Sequence, residues 1–282
     1  MSDSDAADET GGDDTAGDTS EWSLPLDDLA DVAVEAARTG GEYLAAEFRD
    51  GPVAGDYGAD DVKAVADREA EARVLSVVRE AFPEHALHGE ESGHDGNGDG
   101  SRYEWVVDPL DGTNNFAAGL PAFATAVAVV RDGEPVVSAI YEPLPDDLYL
   151  ATADGGATVG GRRIEVGSDV SLDAGTVSFV RGLPAVRDPD LCARGDAMYD
   201  ALEARCKRVV STWSPCVDWG LLARGSLEGI VCYHPDVYEQ YAGELLAEEA
   251  GAVSHAEEGL YVGAGDEETL AALRAALDAE GA

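Results

Sequence analysis

Two aspartates bracket a proline and a leucine in the run Trp105-Val106-Val107-Asp108-Pro109-Leu110-Asp111-Gly112-Thr113-Asn114. The apolar residues before Asp108 read as a buried strand, and Gly112-Thr113-Asn114 reads as the turn that ends it. Carboxylates gathered at the end of a buried strand resist ionising side by side. A hard divalent cation relieves that conflict, and magnesium in particular is held by a few carboxylates, water and substrate phosphate. A turn or helix start rich in backbone N–H groups suits a phosphate. One short stretch therefore offers a metal site beside a phosphate site, although Asp-x-x-Asp-Gly alone also fits an ordinary strand–turn. A second acid pair, Glu90-Glu91, ends the brief apolar segment Ala86-Leu87-His88-Gly89. All four acids thus stand at or just past strand ends, where chemistry is usually mounted.

The elements that must position them can be read from hydrophobic period. Leu26, Leu29, Ala33, Ala36, Ala37, Gly40, Tyr43, Leu44 and Phe48 recur at helical spacing, with Gly40-Gly41 allowing a close approach to a neighbour. A loop through Gly51–Ala59 leads to a second helix, from about Val65 to Phe82, stopped by Pro83. The Gly/Asp/Asn run 93–101 predicts a mobile flap. Beyond the acids, strands are expected at 122–130, 135–141, 147–152 and 162–166, with Asp132-Gly133 as a hairpin turn. From Asp173 the pattern alternates: strands at 175–180, 207–210 and 228–233, a strand pair near 252–262, and helices at 189–204, 215–224, 237–250 and 266–279. The expected fold class is α/β, an α+β N-terminal lobe with a large antiparallel sheet followed by an α/β C-terminal lobe. Residues 23–282 read as one domain, with lobes of about 23–170 and 171–282.

Residues 1–22 are acidic, with few large apolar side chains, and predict a disordered tail. The chain carries 58 acids against 18 bases, a formal net charge of −40, and its only lysines are Lys63 and Lys207. That balance argues against nucleic acid or an anionic membrane as partner. An acid-rich, lysine-poor surface on a folded core is what molar salt tolerates, since screening then acts over a few ångströms; a halophilic source is expected. No apolar run reaches the ~20 residues of a membrane span, and the N-terminus lacks a signal-peptide pattern. Cys192, Cys206, Cys216 and Cys232 show no Cys-x-x-Cys spacing and read as reduced thiols of a cytoplasmic protein. His85, His88, His94, His234 and His255 show no His-x-x-x-His spacing, so surface or capping roles are expected rather than zinc ligation.

Glu90-Glu91 followed by Asp108-Pro109-Leu110-Asp111-Gly112-Thr113-Asn114-Asn115-Phe116 resembles the inositol monophosphatase family. The likeness is to its archaeal type, which takes inositol monophosphate and fructose-1,6-bisphosphate. It extends over roughly 25–265, through Asp61–Glu71, Phe82-Pro83-Glu84-His85, Gly119-Leu120-Pro121, Ile140-Tyr141-Glu142-Pro143 and Glu249-Ala250-Gly251. The resemblance implies a layered αβαβα sugar-phosphatase fold and a homodimer. It also implies two or three Mg2+ ions that clamp the phosphate and activate a water for direct attack. Carried over by position, Glu90, Asp108, the carbonyl of Leu110 and Asp111 resemble the metal ligands. Glu90 and Thr113 look like the pair that aligns the water. Asp111, Gly112, Thr113 and Asn114 are the implied phosphate-binding residues, with Asp67 and Glu91 in support.

The likeness is weaker at the far end. Glu239 is the implied distal metal ligand, standing where the family's distal signature has aspartate after tryptophan, one methylene further out. Asp236 and Glu239 equally fit a capping pair at the start of helix 237–250, and Asp236 is itself a possible ligand. Cys232 stands where animal members have a glutamate that contacts inositol hydroxyls, and Lys63-Ala64 replaces the usual Val-Thr before Asp67. Ser211-Thr212-Trp213-Ser214-Pro215-Cys216 replaces a turn of small residues near the substrate, so Trp213 and Pro215 should reshape the pocket. The expected activity is magnesium-dependent hydrolysis of small sugar or polyol phosphates. Inositol-1-phosphate comes first, and fructose-1,6-bisphosphate or 3′-phosphoadenosine 5′-phosphate are the alternatives. The reading of a different class is a degenerate homologue that binds metal and phosphate without turnover.

Overall fold

The computed structural model describes residues 24–51, 55–58, 62–95 and 100–278. The expected tail at 1–22 and part of the expected flap, 96–99, lie outside the described residues. The N-terminal part runs α1 (Leu26–Asp50), β1 (Gly55–Tyr57), β2 (Val62–Ala64), α2 (Val65–Ala81), β3 (Ala86–Gly89), β4 (Gly93–Asp95) and β5 (Tyr103–Asp111). It continues through α3 (Thr113–Ala118), β6 (Ala124–Arg131), β7 (Glu134–Glu142), β8 (Asp147–Thr152), β9 (Gly156–Val159) and β10 (Arg162–Arg163). The C-terminal part runs β11 (Thr176–Arg181), α4 (Leu183–Arg187), α5 (Pro189–Glu203), β12 (Arg208–Val210), α6 (Pro215–Ala223) and β13 (Gly229–Tyr233). It closes with α7 (Val237–Glu249), β14 (Val253–Glu257), β15 (Leu260–Ala264) and α8 (Glu267–Asp278).

Two larger sheets organise these elements. The first has eight strands in the order β10-β9-β8-β7-β6-β5-β3-β4, antiparallel throughout except for the β3–β5 pair. The second has the order β12-β11-β13-β15-β14, with parallel pairs at one edge and antiparallel pairs at the other. Alternation along each strand sends successive side chains to opposite faces, and the three main apolar clusters follow from it. Trp105, Val107, Val127, Val129 and Val137 leave the first sheet on the side of α1 and α2. Val106, Ala126, Ala128 and Ile140 leave it on the other side and meet Trp219, Leu222, Leu245 and Leu246 of α6 and α7. The same two helices receive Ile230 and Cys232 of the second sheet. That sheet's opposite face, through Val177, Phe179 and Val231, packs on Met198, Leu202, Leu270 and Leu273 of α5 and α8. The order of layers is αβαβα, as the family resemblance implies.

Three expectations need amending, the first being the loop through Gly51–Ala59, which holds β1, paired with β2. The strand expected at 162–166 is only Arg162–Arg163, because Ile164 and Val166 turn inward and Val166 N–H donates to the carbonyl of Ala250 at 2.9 Å. The first part of the expected flap is ordered, since β4 pairs with β3. The glycine pair in α1 acts as expected: a methyl at Gly40 would stand 2.7 Å from Val74, and one at Gly41 would stand 2.6 Å from the Tyr141 ring.

Candidate active site

The first sheet loses its regular ladder where the chemistry begins. Asp108 pairs with Ala126 and Asp111 with Ala124, so Pro109 and Leu110 bulge opposite Thr125. Proline brings no N–H to a ladder, which suits a bulge, and the Thr125 hydroxyl donates to the Pro109 carbonyl at 2.9 Å. The Leu110 side chain enters an apolar cluster with Leu44, Phe116 and Phe123, which anchors the bulge from behind. Both aspartates are then buried. Leu110 N–H donates to Asp108 Oδ1 at 3.1 Å. Gly112 has φ 89°, and a Cβ there would meet the Ala122 carbonyl at 2.8 Å, so the turn requires glycine at this position. Thr113, the first residue of α3, donates its hydroxyl proton to the Leu110 carbonyl at 3.0 Å. The lone pairs of that hydroxyl remain for another donor.

A single cavity collects these groups. Its lining includes Glu90, Asp108, Leu110, Asp111, Gly112, Thr113 and Asn114 from the first half, with Arg181, Trp213, Pro215, Asp218, Asp236 and Glu239 from the second. Burial is the largest cause that raises the Asp108 carboxyl well above its ordinary range, followed by the charges of Glu90, Asp111 and Glu239. Burial likewise pushes Asp111 up to about 7, although the Ser214 hydroxyl and the Cys216 N–H hold it down in part. Glu239 is raised well above its ordinary value by burial and then by Asp111 and Asp236. Buried carboxylates that raise one another, with oxygen as their only donor atom, fit a hard divalent cation that would relieve the repulsion.

The wider match agrees with that chemistry. The family model described as the inositol monophosphatase family spans residues 25–279. The chain belongs to that family. A fructose-1,6-bisphosphatase/inositol-1-monophosphatase of Aquifex aeolicus is 34% identical over 231 residues, covering 79% of this chain and 83% of its own. The Nus factor SuhB of Escherichia coli K12 is 32% identical over 227 residues, covering 80% and 84%. The solved inositol monophosphatase from Anabaena (Nostoc) sp. PCC 7120 superposes with a TM-score of 0.78 at 30% identity, covering 90% of this chain and 96% of its own. The protein is a phosphatase of this metal-dependent family.

Within the inositol monophosphatase frame, most of the expected residues meet. Glu90, Asp108, Leu110, Asp111, Gly112, Thr113, Asn114 and Glu239 share the cavity wall. Glu91 and Asp67 are not part of that wall. The Glu91 carboxylate faces Arg68 at 3.4 Å, and its N–H donates to Glu71 Oε2 at 2.9 Å. Asp67 is buried in the first turn of α2. The rivalry between capping and cavity at the start of α7 dissolves, because Glu239 does both. Asp236 and Glu239 form a capping box, in which Asp236 N–H donates to Glu239 Oε1 at 3.3 Å. Glu239 is nevertheless buried among the other acids, whereas Asp236 is exposed.

Five further residues, none given a site role in the sequence reading, support these groups: Ser214, Cys216, Asn115, Asp218 and Glu71. Ser214 donates to Asp111 Oδ2 at 2.5 Å and Cys216 N–H donates to the same oxygen at 2.8 Å, so the 211–216 turn positions a carboxylate as well as facing the cavity. Asn115, next to the expected Asn114, spans the halves by donating to the carbonyls of Ala122 at 2.8 Å and Thr212 at 2.7 Å. Asp218 is buried, accepts from Ser178 and Thr212, and is raised to about 7 by burial. Glu71 lies buried beneath the Glu90-Glu91 corner. Cys232 is buried between the sheets and is not part of the cavity wall, so the glutamate contact expected at its position has no replacement there.

Proposed function

We propose that the protein hydrolyses small sugar and polyol phosphate monoesters with magnesium, and that inositol-1-phosphate is its first substrate. The observation that carries this reading is the convergence of Glu90, Asp108, Asp111 and Glu239 on a cavity whose wall continues into Gly112, Thr113 and Asn114. Two or three magnesium ions, held by those acids and the Leu110 carbonyl, would neutralise the phosphate and make the attacking water more acidic. The chain's own part is positioning. Glu90 would accept one proton from the attacking water, and the Thr113 hydroxyl, its own proton committed to Leu110, would accept a hydrogen bond from the O–H that remains. The N–H groups of Gly112 and Thr113, with Asn114, hold the phosphate. Ser214 and Cys216 keep Asp111 turned toward the cavity. Glu91 and Asp67 support this floor from outside the cavity.

One further observation favours fructose-1,6-bisphosphate as a second substrate. The relative from Aquifex aeolicus is named for both activities. We extend the proposal to a homodimer working in the cytoplasm of a salt-adapted cell; no described helix is long and apolar enough to cross a membrane. The test is phosphate release in high KCl from inositol-1-phosphate, fructose-1,6-bisphosphate and 3′-phosphoadenosine 5′-phosphate, with and without magnesium. Magnesium-dependent turnover of inositol-1-phosphate is expected. No turnover of any ester would overturn the proposal in favour of a homologue that only binds metal and phosphate.

A further inference from the structure

We propose that His88, His94 and Glu104 form a binding site for a zinc-class divalent ion, separate from the carboxylate cavity. The site follows from strand pairing. His88 of β3 stands directly opposite His94 of β4 in the antiparallel ladder. On the other side of β3, Ala86 pairs with Glu104 and His88 with Val106 of β5. Since side chains alternate with period two, all three residues leave the same face of the sheet. One ligand atom from each lies within 4.8 Å of the others. His94 Nδ1 is 3.2 Å from Glu104 Oε1, and His88 Nδ1 is 3.7 Å from the same oxygen.

The two histidine–carboxylate separations lie close to those around the ion in question. With bonds near 2.0–2.1 Å, ligand atoms around tetrahedral zinc stand roughly 3.3 Å apart, so small side-chain adjustments complete the site. Two imidazoles and one carboxylate suit a borderline ion, whereas magnesium takes oxygen ligands. A second contact prepares His88 for this role. The Tyr238 hydroxyl lies 3.2 Å from its Nε2, which engages that nitrogen and leaves Nδ1 toward Glu104. Such outer partners commonly fix the tautomer and ring orientation of a metal-bound histidine. The three side chains are 28%, 51% and 33% exposed, so an ion can enter from solvent and keep water as its remaining ligand. A formal charge of −40 draws cations to the surface. His88 precedes Glu90 by two residues and Tyr238 precedes Glu239, so an ion here would brace β3 against α7 beside two acids of the cavity.

The test uses the full-length protein, stripped with a chelator and resaturated with magnesium. Zinc is then titrated against a zinc-indicator dye in high KCl. One equivalent is expected to bind despite excess magnesium, and His94→Ala and Glu104→Gln should each weaken it by about tenfold or more. Cobalt in place of zinc should give the visible absorption of a four-coordinate site in the parent protein and lose it in His94→Ala. Asp108→Asn should keep the zinc equivalent, because that change touches only the carboxylate cavity. Failure to bind zinc over magnesium would overturn the proposal. So would equal affinity in His94→Ala and the parent, which marks an ordinary surface ion pair. Zinc lost in Asp108→Asn but retained in His94→Ala would place the ion among the carboxylates and overturn it as well.

Discussion

The two halves of the active site are built by different means. The half proposed to carry out hydrolysis, Asp108 to Asn114, is one continuous strand end in which a bulge, a left-handed glycine and a helix start follow one another. The distal half is assembled from separate segments: Arg181 at the end of β11, the 211–216 turn, and Glu239 in the first turn of α7. The first half is held by contacts between near neighbours in sequence, such as Leu110 to Asp108 and Thr113 to Leu110. The second is held by contacts across the whole chain, such as Ser214 to Asp111 and Asn115 to Thr212. It also carries strain: Trp213 is half-exposed at the cavity with φ 60°, a conformation costly for a bulky residue. A locally built half can keep its geometry while the distal half varies, which is how one hydrolytic site can serve different alcohols.

The sharpest way to break the comparison is to remove the strand-end charge. Asp108→Asn leaves the shape and deletes one carboxylate, and turnover should fall by about 10^3-fold or more, together with magnesium affinity. Initial rates and magnesium titration on the same preparation measure both. Near-normal turnover would remove Asp108 from the site. Glu239→Gln comes next. Glutamine can still accept from Asp236 N–H, so the cap survives while the charge goes. Magnesium affinity should drop roughly 10- to 100-fold with little change in thermal stability. A large stability loss with unchanged affinity would make Glu239 a cap alone.

The same division explains what could be read from sequence. The cavity-lining stretch proposed for metal and phosphate was legible because its residues are contiguous, and the layers were legible because helical and strand periods are strong from α1 through α8. Ser214 and Asn115 could not be found this way, since their partners lie 103 and 97 residues away. Asp218 is the one acid in the apolar run Pro215–Ala223, but the hydroxyls that satisfy it, Ser178 and Thr212, lie outside that run and are joined to it only by the fold. His-x-x-x-His spacing presumes a helix, so it says nothing of the cluster proposed at His88 and His94. The ladder between β3 and β4 brings them opposite each other at a spacing that helix does not allow.

Acidity gives a third contrast, between the empty and the cation-bound carboxylates. Asp111 and Asp218 are raised from 3.8 to about 7, so without metal the folded chain keeps protons that the unfolded chain has released. Stability from these groups is full below about pH 4, falls as pH rises toward 7, and is flat above. Magnesium would take Asp111 in its deprotonated form, so its stabilising effect should grow across the same window. Thermal unfolding between pH 5 and 8 at fixed KCl, with and without magnesium, checks this. A magnesium shift that is the same at every pH would mean that the ion does not bind where the protons are held.

The smallest expected effect separates the two acids at the start of α7. Asp236 and Glu239 both border the cavity, but only Glu239 is buried among the other carboxylates. Asp236 accepts from Val237 N–H at 2.8 Å, the work of a helix cap. Asp236→Ala should therefore cost about 1 kcal/mol of stability and leave magnesium affinity within about twofold, the residual coming from a lost nearby charge. Denaturant unfolding and magnesium titration, run beside Glu239→Gln, give the contrast directly. If Asp236→Ala loses magnesium as severely as Glu239→Gln, the distal ligand is the exposed acid. The extra methylene of Glu239 would then serve only the helix. If it loses stability alone, that methylene lets a buried carboxylate cap the helix with one oxygen and face the metal with the other.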